Sequence, residues 1–502
     1  MSAWPRSYPI AALIAAAALA PLAVVAWLAL GGGVDLGPRT LIILGNTLAL
    51  TALTAAGSVI VGVPLALLTT YVHLPWRRLW LPLLASPLAL PSYLGAFAFF
   101  AATGRGGELA ILTGVDTPAV SGMGGAAFVL TLYTYPFVLL TTRAALQRLD
   151  GNMVDAARTL GMPLKGVLLR IVLPRARNGI AAGALLAALY ALSDFGTPAI
   201  MGVDTLTRAI YIEYNAFGLD RAAWLSLQLL VLVGIVLALE ARVGVEREPP
   251  GRHLTLVLSR SRLTAALGSA AIVPLLAVGT PLGVFLAWLL REGVTGFELS
   301  YALNSLVAAL AAAVVAVTLA VPVAFAASSG RLGRLCERTT YLGFGTPGIV
   351  MGTAFVYIGL GVPLLYQTVA LLVAAYVLRF LPLAVGSVRT ANDRLAGDLV
   401  SAARSLGAGP GETFRRVRLP LILPGLAAGG ALVFLEAMRE LPATLLLGPT
   451  GFETLATYLW RVYETGHLGR AAVPGLVLIL VSGIALLILF IEEHRRQQPS
   501  RD

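Results

Sequence analysis

The sequence predicts an all-α polytopic membrane protein, built as two tandem six-helix bundles with about 12 transmembrane helices in all. Three observations carry that expectation. Of 502 residues, 58% are hydrophobic and only 12% charged, against about 25% charged in a soluble domain. Apolar runs near or above 20 residues recur along the whole length. At about 1.5 Å per residue, each can cross a hydrocarbon core of roughly 30 Å. Lastly, the second half repeats the landmarks of the first. The alternating segments of about ten residues that mark a β-barrel are absent.

The first span is expected at 8–30, after an N-terminus carrying Arg6, with no cleavable signal peptide. A short loop, 31–39, leads to a second span at 40–71 with Pro64 inside it. The basic turn His73-Leu-Pro-Trp-Arg-Arg78 follows, then a third span at 79–102, broken near Pro87 and Pro91. The Gly-rich, weakly charged stretch 103–121 belongs outside. A fourth span at 122–142 returns to a strongly basic segment, with Arg143, Arg148, Arg158, Lys165, Arg170, Arg175 and Arg177 against Asp150 and Asp155. By the positive-inside rule this segment is cytosolic. The fifth span is expected at 179–201, an outer loop at 202–221, and a sixth span ending near Glu240.

A polar, basic linker at 242–262 contains Pro249-Pro250-Gly251 and divides the halves, 1–241 and 263–502. Spans then fall near 263–290, 301–327, 340–361, 362–388, 425–447 and 472–491, with Arg331, Arg334 and Arg338 marking a cytosolic turn. Both termini are placed in the cytosol. The formal net charge of +11 therefore reports topology: the arginines sit in loops between spans, and a nucleic-acid partner is rejected. The single cysteine, Cys336, excludes an internal disulfide and a Cys-ligated cluster. The four histidines are scattered and offer no HxxxH metal pair.

The repeat is residue-specific. Asn46-Thr47 matches Asn304-Ser305, and Pro64 matches Pro322, 258 residues on. Pro91 and its neighbours resemble Pro347 and its own. Pro136 and Pro382, Arg143 and Arg389, Asp194 and Glu440, and Gly202 and Gly448 pair at a displacement of 246. Both copies have the same orientation, so this is a parallel repeat with its axis along the membrane normal.

The densest repeated text is Asp155-Ala-Ala-Arg-Thr-Leu-Gly161 followed by Ile171-Val-Leu-Pro174. The second copy is Ser401-Ala-Ala-Arg-Ser-Leu-Gly407 followed by Val417-Arg-Leu-Pro420. Asp155 or Ser401 can cap a helix start. The alanine pairs, Ala156 with Ala157 and Ala402 with Ala403, leave a thin helix able to sink into a partner's groove. Gly161 and Gly407 suit a left-handed helix terminus. A second short amphipathic segment follows in each copy, and Pro174 or Pro420 is expected to open the next span. The result is a helix–Gly–helix hairpin lying along the membrane. A lipid-binding loop requires only charge and gives no reason to keep this spacing twice.

On these residues the chain resembles the permeases of binding-protein-dependent ABC importers, whose signature loop reads Glu-Ala-Ala-x-x-x-Gly-x9-Ile-x-Leu-Pro. The resemblance covers nearly the whole chain as two fused, type I-like permease domains, with coupling loops at 143–178 and 389–424. Asp155 departs mildly from the family's Glu, and Ser401 loses its charge. The resemblance implies that Asp155, Ala156, Ala157, Arg158, Gly161 and Pro174, with Ser401, Ala402, Ala403, Arg404, Gly407 and Pro420, grip two ATPase subunits, expected as a homodimer. It also implies ATP and Mg on those partners and no cofactor on this chain. A soluble substrate-binding protein outside and a bacterial cytoplasmic membrane as the location follow from it too. Ser193-Asp-Phe-Gly-Thr197, the stretch 202–211, Arg439-Glu-Leu-Pro-Ala-Thr444 and the stretch 451–457 resemble fused iron(III) permeases in particular. Fused permeases for thiamine and for phosphonates are similar.

Asp194, Glu436, Arg439, Glu440 and Arg379 fall in or beside apolar runs, where a mid-bilayer charge costs at least about 2.5–3.5 kcal/mol. Asp194, Glu436, Arg439 and Glu440 are therefore candidates for a weakly acidic translocation path, with carboxylates suited to Fe3+. The alternative is structural ion pairing among Glu436, Glu440, Arg439 and Arg379. No tightly bound metal is expected. Tyr211, Tyr214, Tyr458, Trp460 and Tyr463 read as interfacial aromatics. The chain carries no GxxxxGK[ST], HExxH or GxSxG motif, so no catalytic residue is assigned and ATP must be hydrolysed elsewhere. An ion-gradient-driven transporter would favour inverted repeats, and the parallel repeat argues against it.

Overall fold

A computed structural model describes residues 7–31, 37–243, 258–393 and 397–497. Most of the expected linker 242–262, the loop residues 32–36, Arg6 and the last five residues of the tail lie outside the described residues.

The first half runs as α1 (Ser7–Gly31), α2 (Pro38–Tyr71), α3 (Arg77–Ala85), a 3-10 turn, α4 (Ser92–Ala102), α5 (Glu108–Thr113) and α6 (Gly122–Leu146). It continues with α7 (Gly151–Thr159), α8 (Leu164–Val167), a π turn, α9 (Leu173–Ser193), α10 (Gly196–Ile200), α11 (Leu206–Asn215) and α12 (Leu219–Glu240). The second half repeats the order. It comprises α13 (Arg260–Pro274), a π turn, α14 (Thr280–Glu292), α15 (Leu299–Ser329), α16 (Arg331–Gly345), α17 (Gly348–Gly361) and α18 (Val369–Asp393). Then come α19 (Gly397–Ser405), α20 (Pro410–Thr413), a π turn, α21 (Leu419–Met438), α22 (Pro442–Leu447), α23 (Leu455–Thr465), a 3-10 turn and α24 (Ala472–Gln497).

The chain is thus all-α and polytopic. Among the described residues eight helices are long and apolar enough to cross a membrane, and ten if each of two bent pairs forms one span. Of the other two expected spans, α9 opens on Arg175 and Arg177, and α24 closes the chain.

Four expected spans are not straight. The run at 79–102 bends by 88° ahead of Ser92, and that at 340–361 by 103° ahead of Gly348. The causes are equivalent prolines: Pro91 and Pro347 cap α4 and α17 in extended conformation, and a proline cannot supply the N–H that would continue the preceding helix. The runs at 179–201 and 425–447 also break, at Asp194 and Arg439, into a long helix and a short one.

Close packing explains why the repeat persists in the membrane. Gly179 and Gly183 of α9 lie against α6, where an added Cβ would sit 2.7 Å from the Thr141 carbonyl oxygen and 2.5 Å from Val138 Cα. Gly425 and Gly429 of α21 meet α18 in the same way, 2.9 Å from the Ser387 carbonyl oxygen and 2.9 Å from Ala384 Cα. Small residues four apart let two helices approach backbone to backbone. The repeated Asn-Thr and Asn-Ser pairs also have a physical role. Asn46 donates to the Asp204 carbonyl at 3.1 Å, and Thr47 Oγ1 accepts from the Leu206 N–H at 2.9 Å. Asn304 donates to the Glu453 carbonyl at 2.9 Å, and Ser305 Oγ accepts from the Leu455 N–H at 2.8 Å. Each pair fastens the first turn of α11 or α23.

The chain packs as two compact units that interleave the sequence halves. One comprises Met1–Asp35, Ile210–Gln228 and Gly296–Glu464; the other comprises Leu36–Ala209, Leu229–Thr295 and Thr465–Asp502. In the first, α1 of the N-terminal half packs on α15, α16 and α17. In the second, α13 and α14 of the C-terminal half pack on α3 and α4, and α14 also on α24. There Trp288 Nε1 donates to the buried Glu108 at 2.6 Å, and Arg291 pairs with the same carboxylate.

Candidate functional site

The two repeated segments fold into closely similar hairpins. In the first, α7 begins at Asp150, whose carboxylate accepts from the Asn152 N–H at 3.1 Å. This corrects the sequence reading, which gave the cap to Asp155. Asp155 stands inside α7, and Ser401 likewise stands inside α19.

Both helices end in the same motif. Met162 N–H bonds to the Ala157 carbonyl at 3.1 Å and Gly161 N–H to Arg158 at 3.0 Å. In the second copy, Ala408 bonds to Ala403 at 3.0 Å and Gly407 to Arg404 at 3.0 Å. This is a Schellman closure, which places its C′ residue in left-handed conformation. Gly161 has φ +83° and Gly407 φ +87°. Neither would meet a heavy atom within 4 Å through an added Cβ, so these glycines are required by backbone angle and not by lack of space.

The second arm does not stop where the next span starts. The segment 164–193 is one helix that relaxes into a π turn over Leu168–Val172, with Leu173 N–H bonded five residues back to Leu168. The second copy does the same over Phe414–Arg418, with Leu419 bonded to Phe414. Pro174 and Pro420 are the cause. Each lacks an N–H and crowds the carbonyl four residues back, of Arg170 or Arg416, and widening the turn relieves both problems. The prolines were expected to open a new helix; they sit instead within a continuous rod from hairpin to span.

Of each alanine pair, one member faces the body. Ala157 is buried with Val154 and Val167 in a core that includes Leu65, Tyr135 and Leu146, and Ala403 is half-buried, while Ala156 and Ala402 are exposed. Asp155, Arg158, Arg404 and Ser401 are also exposed, as are Gly161, Pro174, Gly407 and Pro420. Sequence reasoning overlooked the residue before each glycine: Leu160 and Leu406 are both 88% exposed. Equal exposure of a large apolar side chain at equivalent positions was foreshadowed only by their identity in the two copies. Beside Leu160, α7 and the rod flank a groove of about 910 Å3 lined by Met153, Met162, Arg170 and Arg175 among others.

The charged candidates in the apolar runs are engaged in pairs and caps. Asp194 accepts from Ser92 Oγ at 2.9 Å and from the Thr197 N–H at 3.1 Å. Glu440 accepts from the Ala443 N–H at 3.1 Å and pairs with Arg379, and Glu436 pairs with Arg439. Gly348, equivalent to Ser92, leaves room there: an added Cβ would lie 2.3 Å from both Arg379 and Glu440. Asp194 and Glu440 thus each close the start of a short helix, α10 and α22. Among the described residues no three His, Cys, Asp or Glu side chains converge as metal ligands.

The aromatics read as interfacial are held by ring contacts and hydrogen bonds within the fold. Tyr458 stacks on Tyr301 at 4.5 Å and donates to the Gly296 carbonyl at 2.6 Å. Trp460 meets Tyr211 edge-on at 5.8 Å and Tyr463 at 5.5 Å, and Tyr214 donates to the Leu446 carbonyl at 3.2 Å.

Comparison with known proteins agrees with this architecture. The family described as binding-protein-dependent transport system inner membrane component matches twice, at residues 58–242 and 316–495. The chain is 28% identical over 478 residues to an Fe(3+)-transport system permease protein of Haemophilus influenzae, covering 90% of each. It is 25% identical over 497 residues to a probable ABC transporter permease of Sinorhizobium fredii, covering 90% of this chain and 87% of that one. A probable molybdenum ABC transporter permease of Haloferax volcanii is 31% identical over 199 residues, covering 39% of this chain and 73% of the relative.

Proposed function

Because this chain belongs to the family of binding-protein-dependent transport system inner membrane components, we propose that it is the whole membrane path of an ATP-driven importer, with iron(III) as cargo. The observation that carries the importer mechanism is the pair of hairpins. Two segments 246 residues apart share a Schellman closure, a left-handed glycine, an exposed leucine and a π turn. Each is the shape of a handle made to be held, and the two copies match the two ATPase subunits, with ATP and Mg, that such a transporter requires.

In this reading the ATPases grip Leu160 and Leu406 and the exposed residues around them, on the cytosolic face where both termini lie. Closure of the ATPase pair pulls the hairpins, and each continuous rod carries the motion into α9 or α21. A binding protein delivers cargo at the opposite ends of these helices. Asp194, Glu436, Arg439 and Glu440 line the route only weakly, since their charges are already used within the fold. Iron is favoured because the Fe(3+) relative aligns over 90% of both chains, whereas the molybdenum relative aligns with 39% of this one.

Proteoliposomes carrying the chain with its ATPase subunits and an outside binding protein should accumulate radioactive iron only when ATP is supplied. Uptake indifferent to ATP would overturn the importer reading. ATP-driven uptake of molybdate, thiamine or a phosphonate, with iron excluded, would reassign the cargo.

A further inference from the structure

The turns that follow α11 and α23 are equivalent, 249 residues apart: Ala216-Phe217-Gly218-Leu219-Asp220-Arg221-Ala-Ala223 aligns with Thr465-Gly466-His467-Leu468-Gly469-Arg470-Ala-Ala472. Both require a left-handed residue at one position. In the second half it is Gly466, at φ +73°, the residue suited to that angle. In the first half it is Phe217, at φ +61°, a conformation that an aromatic residue rarely adopts. Phe217 gains nothing inside the fold in exchange, for it is 94% exposed, more than any other large hydrophobic residue described. A disfavoured backbone holding an apolar side chain in the open points to use.

The surroundings have the anatomy of a protein interface. Asn215, Asp220 and Arg221 are exposed around the ring, and Arg221 pairs with Glu213 at 3.4 Å. That pairing leaves the Asp220 carboxylate in excess. An apolar anchor inside a polar rim is the usual form of a binding hot spot. In chain order the turn belongs to the stretch 202–221 between the fifth and sixth expected spans, which the positive-inside pattern assigns to the outside, the side where cargo arrives in the importer reading.

We propose that Phe217 is the anchor by which the substrate-binding protein docks, inserting into an apolar socket rimmed by lysine or arginine. This rests on the importer reading. Lipid is the less suitable occupant. A bilayer surrounds both halves alike, yet the equivalent turn presents Gly466. A single asymmetric binding protein meets the two halves differently and can require the knob on one of them. The exposed Asp220 would also repel anionic headgroups, and phenylalanine lacks the polar tip that suits tyrosine and tryptophan to the headgroup level.

The test uses the chain assembled with its ATPase subunits in nanodiscs, and the purified iron-loaded binding protein as probe. Phe217→Gly installs the residue of the other copy and relieves the backbone, so thermal stability should hold or rise. The concentration of binding protein that half-saturates ATPase stimulation should rise at least tenfold. An unchanged half-saturating concentration overturns the proposal while leaving the importer reading intact; a wild-type complex that no binding protein stimulates overturns both. A second arm places a bimane label on Phe217→Cys, with the buried Cys336 as the only native thiol. Its emission should be water-like in nanodiscs and shift blue when the binding protein is added. Blue emission in nanodiscs alone would assign the site to lipid and overturn the proposal.

Discussion

At the scale of single residues, the hairpins depend on backbone angle. Gly161 and Gly407 sit at φ +83° and +87° with open space where a side chain would go. A β-branched residue there is opposed by its own backbone, by roughly 1–2 kcal/mol, and by no neighbour. Gly161→Val and Gly407→Val should therefore insert into the membrane normally, yet lose ATP-coupled transport because the Schellman closure opens. Insertion by membrane fractionation and uptake in the same vesicles would check this, and full transport in both variants would contradict it. The glycines, alanines and prolines of the motif were legible in the sequence because the repeat preserves them. The helix start was not. Asp155 lies in the repeated text and drew the cap assignment, whereas Asp150 does the capping from outside it, five residues earlier.

At the scale of elements, each rod stands on a close helix contact. Gly183 against Val138 and Gly429 against Ala384 leave no room for a side chain. Gly183→Leu must push α9 off α6, and such overpacking costs about 1–3 kcal/mol or more. A lowered melting temperature, with transport falling in step, is expected from thermal unfolding in detergent; an unaltered midpoint would contradict it. The Gly-x-x-x-Gly spacing was in plain view in both copies, but it reads as one more feature of an apolar run until the facing helix is known. Span ends were harder. The bends at Pro91 and Pro347 were half visible, since proline announces a break. The breaks at Asp194 and Arg439 were masked, because apolar residues continue on both sides and hydropathy does not register a capped helix end. The π turns at Leu168–Val172 and Phe414–Arg418 had only the prolines as signal, and proline alone does not distinguish a helix start from a relaxed turn.

At the scale of the whole molecule, the repeat in the sequence and the units in space divide the chain differently. The parallel duplication and the number of long apolar runs could be read directly. The exchange of α1 and of α13 with α14 could not, since nothing in a uniformly apolar helix says whose surface covers it. The exchange has a consequence. A chain cut within 244–257 should remain one particle in detergent, because α1 packs on α15, α16 and α17, while Glu108 binds Trp288 and Arg291. Affinity purification by a tag on either half should recover the other, and separation of the halves in mild detergent would contradict the interleaving.

The most direct measurement is site-directed cross-linking in the assembled transporter. Cys336 is replaced by serine and one cysteine at a time is introduced at Leu160 or Leu406. Both positions should form cross-links to ATPase subunits, with yields that change between ATP-bound and nucleotide-free states, and neither should react with an impermeant thiol reagent added outside the cell. Labelling of either position from outside, or no ATPase cross-link from both, would contradict the assignment of the hairpins as handles.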